Sequence, residues 1–246
     1  MSGTILERLR ASALKGRLAP AAAGYDYLAR PWLRESWGGP LNDQAFRRLI
    51  LESVISKCGV HAVVETGSYR GTSTDYFRCL PGVTQVWTVE AIPRFFWYTR
   101  IRFRRDARVK AIRGDSRSVL LELARNRSLT SRATLFYLDA HWDADLPLGE
   151  EVQTIAGNWR TWVAIIDDFR VPGDDGYGYD SYGPAATLDV DYLLSRVPGL
   201  AFYFPALPSH LETGLRRGCA VVTTIPEVRA QLDSLPLLLR QHAARP

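Results

Sequence analysis

The apolar run Val163, Ala164, Ile165 and Ile166 ends in two adjacent carboxylates, Asp167 and Asp168. Four aliphatic residues in succession suit a strand buried on both faces, whereas neighbouring acids repel each other unless positive charge stands between them. Acids also close the earlier strand-like runs, with Glu65 in VHAVVET, Glu90 in QVWTVE, Asp115 after RVKAIRG and Asp139 in ATLFYLD. Carboxylates at such places can chelate a pair of hydroxyls, hold a hard divalent cation or take a proton from a weakly acidic group.

The elements that must position these acids alternate. Strand-like stretches fall at 60–66, 85–90, 108–115, 133–139, 162–168, 200–205 and 219–224, and helical stretches at 72–80, 93–104, 116–126, 148–159 and 185–196. An earlier helix is expected from an Asn42 cap to Gly59, with Phe46, Leu49, Ile50 and Val54 on one stripe. Alternation of this kind predicts an α/β fold, a mostly parallel seven-stranded sheet with helices on both faces. Ligands of such sheets bind beyond the carboxyl ends of the strands, where the acids stand.

VVETGSYRGTS, residues 63 to 73, is a strand, a glycine turn and a helix start. Gly67 and Gly71 permit a tight turn and a close approach of ligand to backbone, and the amides that follow attract a carboxylate or phosphate. The spacing E-x-G-x-x-x-G is not the dinucleotide fingerprint G-x-G-x-x-G. Glu90, at the end of the next strand, suits the two hydroxyls of a ribose. Asp115 and Ser116, after the third strand, suit an adenine edge.

ETGSYRGTS, TVEAIP, GDS at 114–116, YLDAHW and IDDFRVPG, in this order and spacing, resemble the motifs of class I S-adenosylmethionine-dependent methyltransferases. Within that class they resemble the metal-dependent small-molecule O-methyltransferases such as catechol O-methyltransferase. The likeness spans residues 60 to 173 and implies a Rossmann-like fold with an N-terminal helical cap. It implies that Glu65, Gly67, Ser68, Tyr69, Gly71 and Ser73 hold the methionine end of the cofactor, Glu90 the ribose, and Asp115 and Ser116 the adenine. It further implies that Asp139, Asp167 and Asp168 converge on one magnesium ion; the family often has Asn at the place of Asp168. Where the catechol enzyme's pattern has a lysine three positions after the first metal aspartate, this chain has Trp142. His141 is therefore a candidate general base, or with Trp142 a wall for the adenine, and Asp139 is the other candidate for the proton.

The 246 residues suit one structural domain, with residues 1–57 as cap and 58–246 as the methyltransferase unit. No apolar run approaches the roughly 20 residues that cross a bilayer, and charges interrupt the first twenty residues, so neither membrane insertion nor export is expected. Cys58, Cys79 and Cys219 lack metal-ligand spacing and fit reduced core thiols in a cytoplasm. The net charge of +5 is carried almost wholly by arginine. Arginines and aromatics mix in PRFFWYTRIRFRRDAR, 93 to 108, but the pattern suits a helix packed on the sheet, and nucleic acid is not the expected partner. The expected partner is a small-molecule acceptor, a phenol, sugar or polyol as in antibiotic tailoring, with a homodimer expected by analogy with related enzymes. VPGDDGYGYDSYGP, 171 to 184, reads as a lid rooted at Pro172, a wall of the acceptor pocket. The competing readings are a metal-independent N-methyltransferase whose aspartates grip an amine, a catalytically silent cofactor-binding protein and a nicotinamide oxidoreductase.

Overall fold

The computed structural model describes residues 16–141, 145–183 and 186–241. Its centre is an eight-stranded sheet of β1 (Ala62–Thr66), β2 (Gln85–Glu90), β3 (Val109–Arg113), β4 (Thr134–Leu138), β5 (Trp162–Asp167), β6 (Ala201–Pro205), β7 (Cys219–Thr223) and β8 (Leu238–Arg240). The spatial order is β3-β2-β1-β4-β5-β7-β6-β8. The five strands from β3 to β5 run parallel, and β7 is antiparallel to both β5 and β6. Seven strands fall where the sequence places them; the eighth, β8, is a three-residue edge strand paired with β6.

Nine α-helices are described: α1 (Ala19–Ala29), α2 (Ala45–Lys57), α3 (Thr72–Phe77), α4 (Pro93–Arg102), α5 (Ser116–Leu123), α6 (Arg127–Thr130), α7 (Leu148–Asn158), α8 (Val190–Leu194) and α9 (Pro226–Asp233). Strand alternation divides the core. Val64, Phe136, Leu138, Ala164 and Ile166 pack with α5, α7 and α8 on one face. Val63, Leu135, Tyr137, Val163 and Ile165 pack with α2, α3 and α9 on the other. Each fully buried Val, Leu or Ile stabilises the fold by about 1.5–3 kcal/mol.

Helix α2 departs from expectation at its start and on its face. Gln44, not Asn42, is the N-cap residue, and Asn42 stands in a left-handed conformation with φ 60°. The inward stripe is Arg47, Ile50, Leu51, Val54 and Ile55, while Leu49 is 50% exposed. Helix α1 packs on α4, and buried Asp26 ties them by accepting from Arg94 at 2.6 Å and Arg30 at 3.3 Å. In the arginine-rich run, Arg102 pairs with Asp75 at 2.8 Å and Arg108 with Asp106 at 2.8 Å. No described helix is long and apolar enough to cross a membrane.

Register positions the site. Thr66 stands opposite Val89 and Leu138, and Leu138 opposite Ile166. The residues that follow, Glu90, Gly67, Asp139 and Asp167, therefore stand in one row across four strands. A Cβ built on Gly67 (φ 83°) would lie 2.1 Å from the Asp139 carbonyl oxygen. Gly67→Ala combines a strained backbone with that overlap and is expected to lower the unfolding free energy by about 2 kcal/mol or more, checked by urea denaturation.

Candidate active site at the carboxyl ends of β1, β2, β4 and β5

The turn after β1 places Gly67, Tyr69 (φ 47°) and Gly71 (φ 71°) in left-handed conformations, with Gly71 at the N-cap of α3. Glu90 faces this turn, accepting from the Tyr69 amide at 2.8 Å and the Ile92 amide at 2.7 Å. Burial outweighs these donors and pushes its carboxyl up to about 7. Ser68 is buried, and among the described residues its Oγ has no hydrogen-bond partner. The Tyr69 ring packs against Phe95, 4.3 Å between centroids, and against Trp37 at 6.2 Å.

Other expected cofactor residues carry contacts within the protein. Glu65 is 2% exposed and accepts from Thr74 Oγ1 and, at 2.6 Å, from Thr88 Oγ1. It ties α3 to β2 from beneath the turn, and burial pushes its carboxyl up to about 7. Ser73 Oγ accepts from the Leu41 amide at 3.3 Å, joining the turn to the N-terminal segment. Asp115 caps α5 through the Arg117 and Ser118 amides and pairs with the Arg117 guanidinium at 2.6 Å. Ser116 is buried, and its hydroxyl and that of Thr66 both face the buried Glu151 carboxyl, whose pKa burial raises. Trp142 lies outside the described residues.

Asp139, His141 and Asp168 do come together, each offering one ligand atom within 4.8 Å of the others. Among the described residues His141 Nε2 is buried and unpartnered, and its nearest acids are Asp168 at 3.6 Å and Asp139 at 3.8 Å, both beyond hydrogen-bond length. Asp168, turned out of the strand at φ 53°, divides its oxygens. Oδ1 accepts from Arg217 Nε at 2.5 Å, and Oδ2 points to His141. Burial opposes the Asp168 carboxylate, but His141 and Arg217 prevail and hold its pKa down at about 2. Asp139 is pushed the other way, upward, by burial and by Asp167, Asp168 and Glu65. Burial opposes protonation of His141, and Asp168 outweighs it, raising the pKa.

Asp167 does not join this cluster, which corrects the three-aspartate expectation. It is still in β5, paired with Cys219, so its side chain points to the face that α2 covers. There Oδ1 accepts from Arg47, and Oδ2 from the Tyr137 hydroxyl at 2.6 Å and the Asn42 amide at 3.1 Å. The positive charges beside the two aspartates are thus Arg47 for one and Arg217 for the other. Sequence reasoning passed over both arginines. Arg47 was legible in principle, since 47, 50, 51 and 54 share helical spacing; Arg217, one of two arginines before β7, carried no local signal.

The described residues of the tyrosine- and glycine-rich segment are hydrogen-bonded to the loops beside them. Gly178 donates to the Arg216 carbonyl at 2.9 Å and accepts from the Gly218 amide at 2.6 Å, and Tyr177, 1% exposed, donates to the Leu207 carbonyl at 3.0 Å. Arg217 also reaches Asp180 on this segment, and Tyr182 stands edge-on to His141 with centroids 6.3 Å apart. Pro172 lines a cavity of about 530 Å³ with Phe204, Leu207 and His210, whose lining does not include Asp139, His141 or Asp168.

No protein-family model matches the chain, and no curated protein matches it by sequence. Solved structures do match. An O-methyltransferase from Bacillus cereus, in complex with S-adenosylhomocysteine, aligns over 88% of this chain and 96% of its own at 16% identity with a TM-score of 0.53. TomG from Streptomyces achromogenes, an O-methyltransferase involved in tomaymycin synthesis and solved with S-adenosylmethionine, aligns over 91% of this chain and 100% of its own at 14% identity with a TM-score of 0.51. The chain has the α/β Rossmann-like fold of class I methyltransferases.

Arg47→Met leaves the Asp167 charge buried without its cation and is expected to cost about 3–5 kcal/mol of stability. Arg47→Met combined with Asp167→Asn recovers part of that loss; chemical denaturation of both variants checks it.

Proposed function

We propose that this protein is an S-adenosylmethionine-dependent O-methyltransferase acting on a hydroxyl of a small phenol, sugar or polyol. The observation that supports this most is adjacency: the Gly67 turn touches the Asp139 backbone, and the Asp139 amide donates to the Thr66 carbonyl at 3.0 Å. A methyl donor on the turn and an acceptor at Asp139 would meet, and an in-line displacement needs reacting atoms about 3–3.5 Å apart. The orphaned Ser68 hydroxyl and the left-handed turn fit a polar ligand pressed against the backbone. The fold's occurrence in two O-methyltransferases solved with S-adenosyl ligands points the same way.

S-Adenosylmethionine supplies an activated methyl group; the chain supplies placement and proton transfer. Glu90, facing the turn, accepts from the ribose hydroxyls. Asp168, held by Arg217, and His141 orient the acceptor oxygen. When bound, S-adenosylmethionine would supply the methyl group, its sulfur keeping the electron pair of the carbon–sulfur bond as a carbon–oxygen bond replaces it; Asp139, whose carboxylate receives no protein hydrogen bond among the described residues, is the group that would take the acceptor's proton. Buried His141, with Tyr182 edge-on to it, shields one side of this point from water.

Calorimetric titration with S-adenosylhomocysteine and with NAD tests the cofactor, and mass spectrometry of phenol, sugar and polyol panels tests O-methylation. Binding of NAD alone, or methylation of amines only, overturns the reading. The Glu90 pKa of about 7 sets a pH dependence. The ionised carboxylate accepts the ribose hydroxyls, so affinity for S-adenosylhomocysteine is full above pH 7 and falls below it, by up to about tenfold per unit. Glu90→Gln is expected to bind about 10- to 100-fold more weakly at pH 8 and to lose that pH dependence.

A further inference from the structure

The magnesium set implied by the sequence resemblance needs three aspartates, and the structure offers only two of them. Asp167 is held by Arg47, Tyr137 and Asn42, with both oxygens engaged. Bringing it to the cluster would leave the buried Arg47 guanidinium without its acid, a change that costs several kcal/mol. The vacated third place is filled by an imidazole. Among the described residues His141 Nε2 is buried and unpartnered, 3.8 and 3.6 Å from oxygens of Asp139 and Asp168. Those gaps exceed a hydrogen bond, and they lie close to the separation of about 3.0–3.4 Å between two ligands that share one ion at about 2.1 Å.

We propose that Asp139, His141 and Asp168 form a divalent-cation site selective for ions that accept both imidazole and carboxylate, such as Mn²⁺, Fe²⁺, Co²⁺ or Zn²⁺, over Mg²⁺, and that Asp167 is not a ligand. Imidazole suits these metals, whereas Mg²⁺ favours oxygen donors and retained waters. Arg217 supports the site from behind, taking one Asp168 oxygen and leaving the other for the ion. The assignment makes His141 a metal ligand instead of a direct contact to the acceptor oxygen, and it rests on reading this cluster as the acceptor end of the proposed methyltransferase site.

The test uses the full chain, stripped with chelator and titrated separately with Mn²⁺ and Mg²⁺ by calorimetry. Mn²⁺ is expected to bind at least about tenfold more tightly, and electron spin-echo spectroscopy of the Mn²⁺ form is expected to show nitrogen coupling from imidazole. His141→Gln is expected to lose the coupling and most of the Mn²⁺ preference; Asp167→Asn is expected to keep the coupling. Absence of the coupling in the Mn²⁺-loaded wild type, its survival in His141→Gln, preference for Mg²⁺, or no cation binding at all would each overturn the assignment. Should Asp167→Asn not fold, the wild type and His141→Gln decide alone. Titration of the stripped protein with S-adenosylhomocysteine separates the two claims: binding of the nucleoside without the expected metal behaviour sinks only the metal site.

Discussion

The site depends on the burial of one ion pair, Arg47 with Asp167. Removing two charges from water is costly unless every remaining donor and acceptor is matched. Here the matching is dense: Asp167 also takes the Tyr137 hydroxyl and the Asn42 amide, while Arg47 donates to the Arg217 carbonyl and, at 3.0 Å, to the Gly218 carbonyl. Gln44 completes the clamp, donating to the Arg217 carbonyl at 3.0 Å and accepting from its amide at 2.8 Å. Helix α2 therefore fixes the backbone of Arg217. From that fixed backbone the Arg217 side chain reaches Asp168 and Asp180, joining the cluster to the tyrosine-rich segment. A helix remote in sequence thereby sets the orientation of a carboxylate in the Asp139–His141–Asp168 cluster.

This arrangement explains which parts of the molecule were legible beforehand. Strand positions, the glycine turn and Glu90 follow from local rules of alternation, left-handed backbone and strand-end placement, and these act within a few residues. The fate of the two aspartates does not. Neighbours along a strand point to opposite faces while the strand lasts, so Asp167 and Asp168 could converge only if the chain left the sheet before Asp167. It leaves one residue later, at Asp168 with φ 53°. A one-residue difference in the strand's end thus sends one carboxylate into the α2 face and the other to the cluster.

A similar subtlety hid Arg47. The apolar stripe of helix α2 carries no mark of a charged residue at its head, yet the spacing of Arg47 puts it on the buried face with Ile50, Leu51 and Val54. Asn42 misled in the same way: a good cap type by composition, it spends its side chain on Asp167 and leaves the cap position to Gln44, which itself makes no side-chain cap bond. In both cases a tertiary charge pairing overrode a local preference.

The strand-end acids, which looked like one constellation, serve separate tasks. Glu65 binds α3 to the sheet, Glu90 faces the turn, Asp115 caps a helix and Asp167 anchors α2. Only Asp139 and Asp168 reach the cluster. Of these, Asp168 is matched by Arg217, whereas Asp139 has His141 as its nearest cation donor, at 3.8 Å. The electrostatic imbalance of the site is consequently concentrated on Asp139, the carboxylate whose backbone touches the Gly67 turn. A cation next to that point relieves it, and on the proposed reading there are two: a metal at the cluster and the positive sulfur of the methyl donor. Transfer of the methyl group removes the second charge, so the same imbalance that draws in the donor favours it over the neutral thioether left behind.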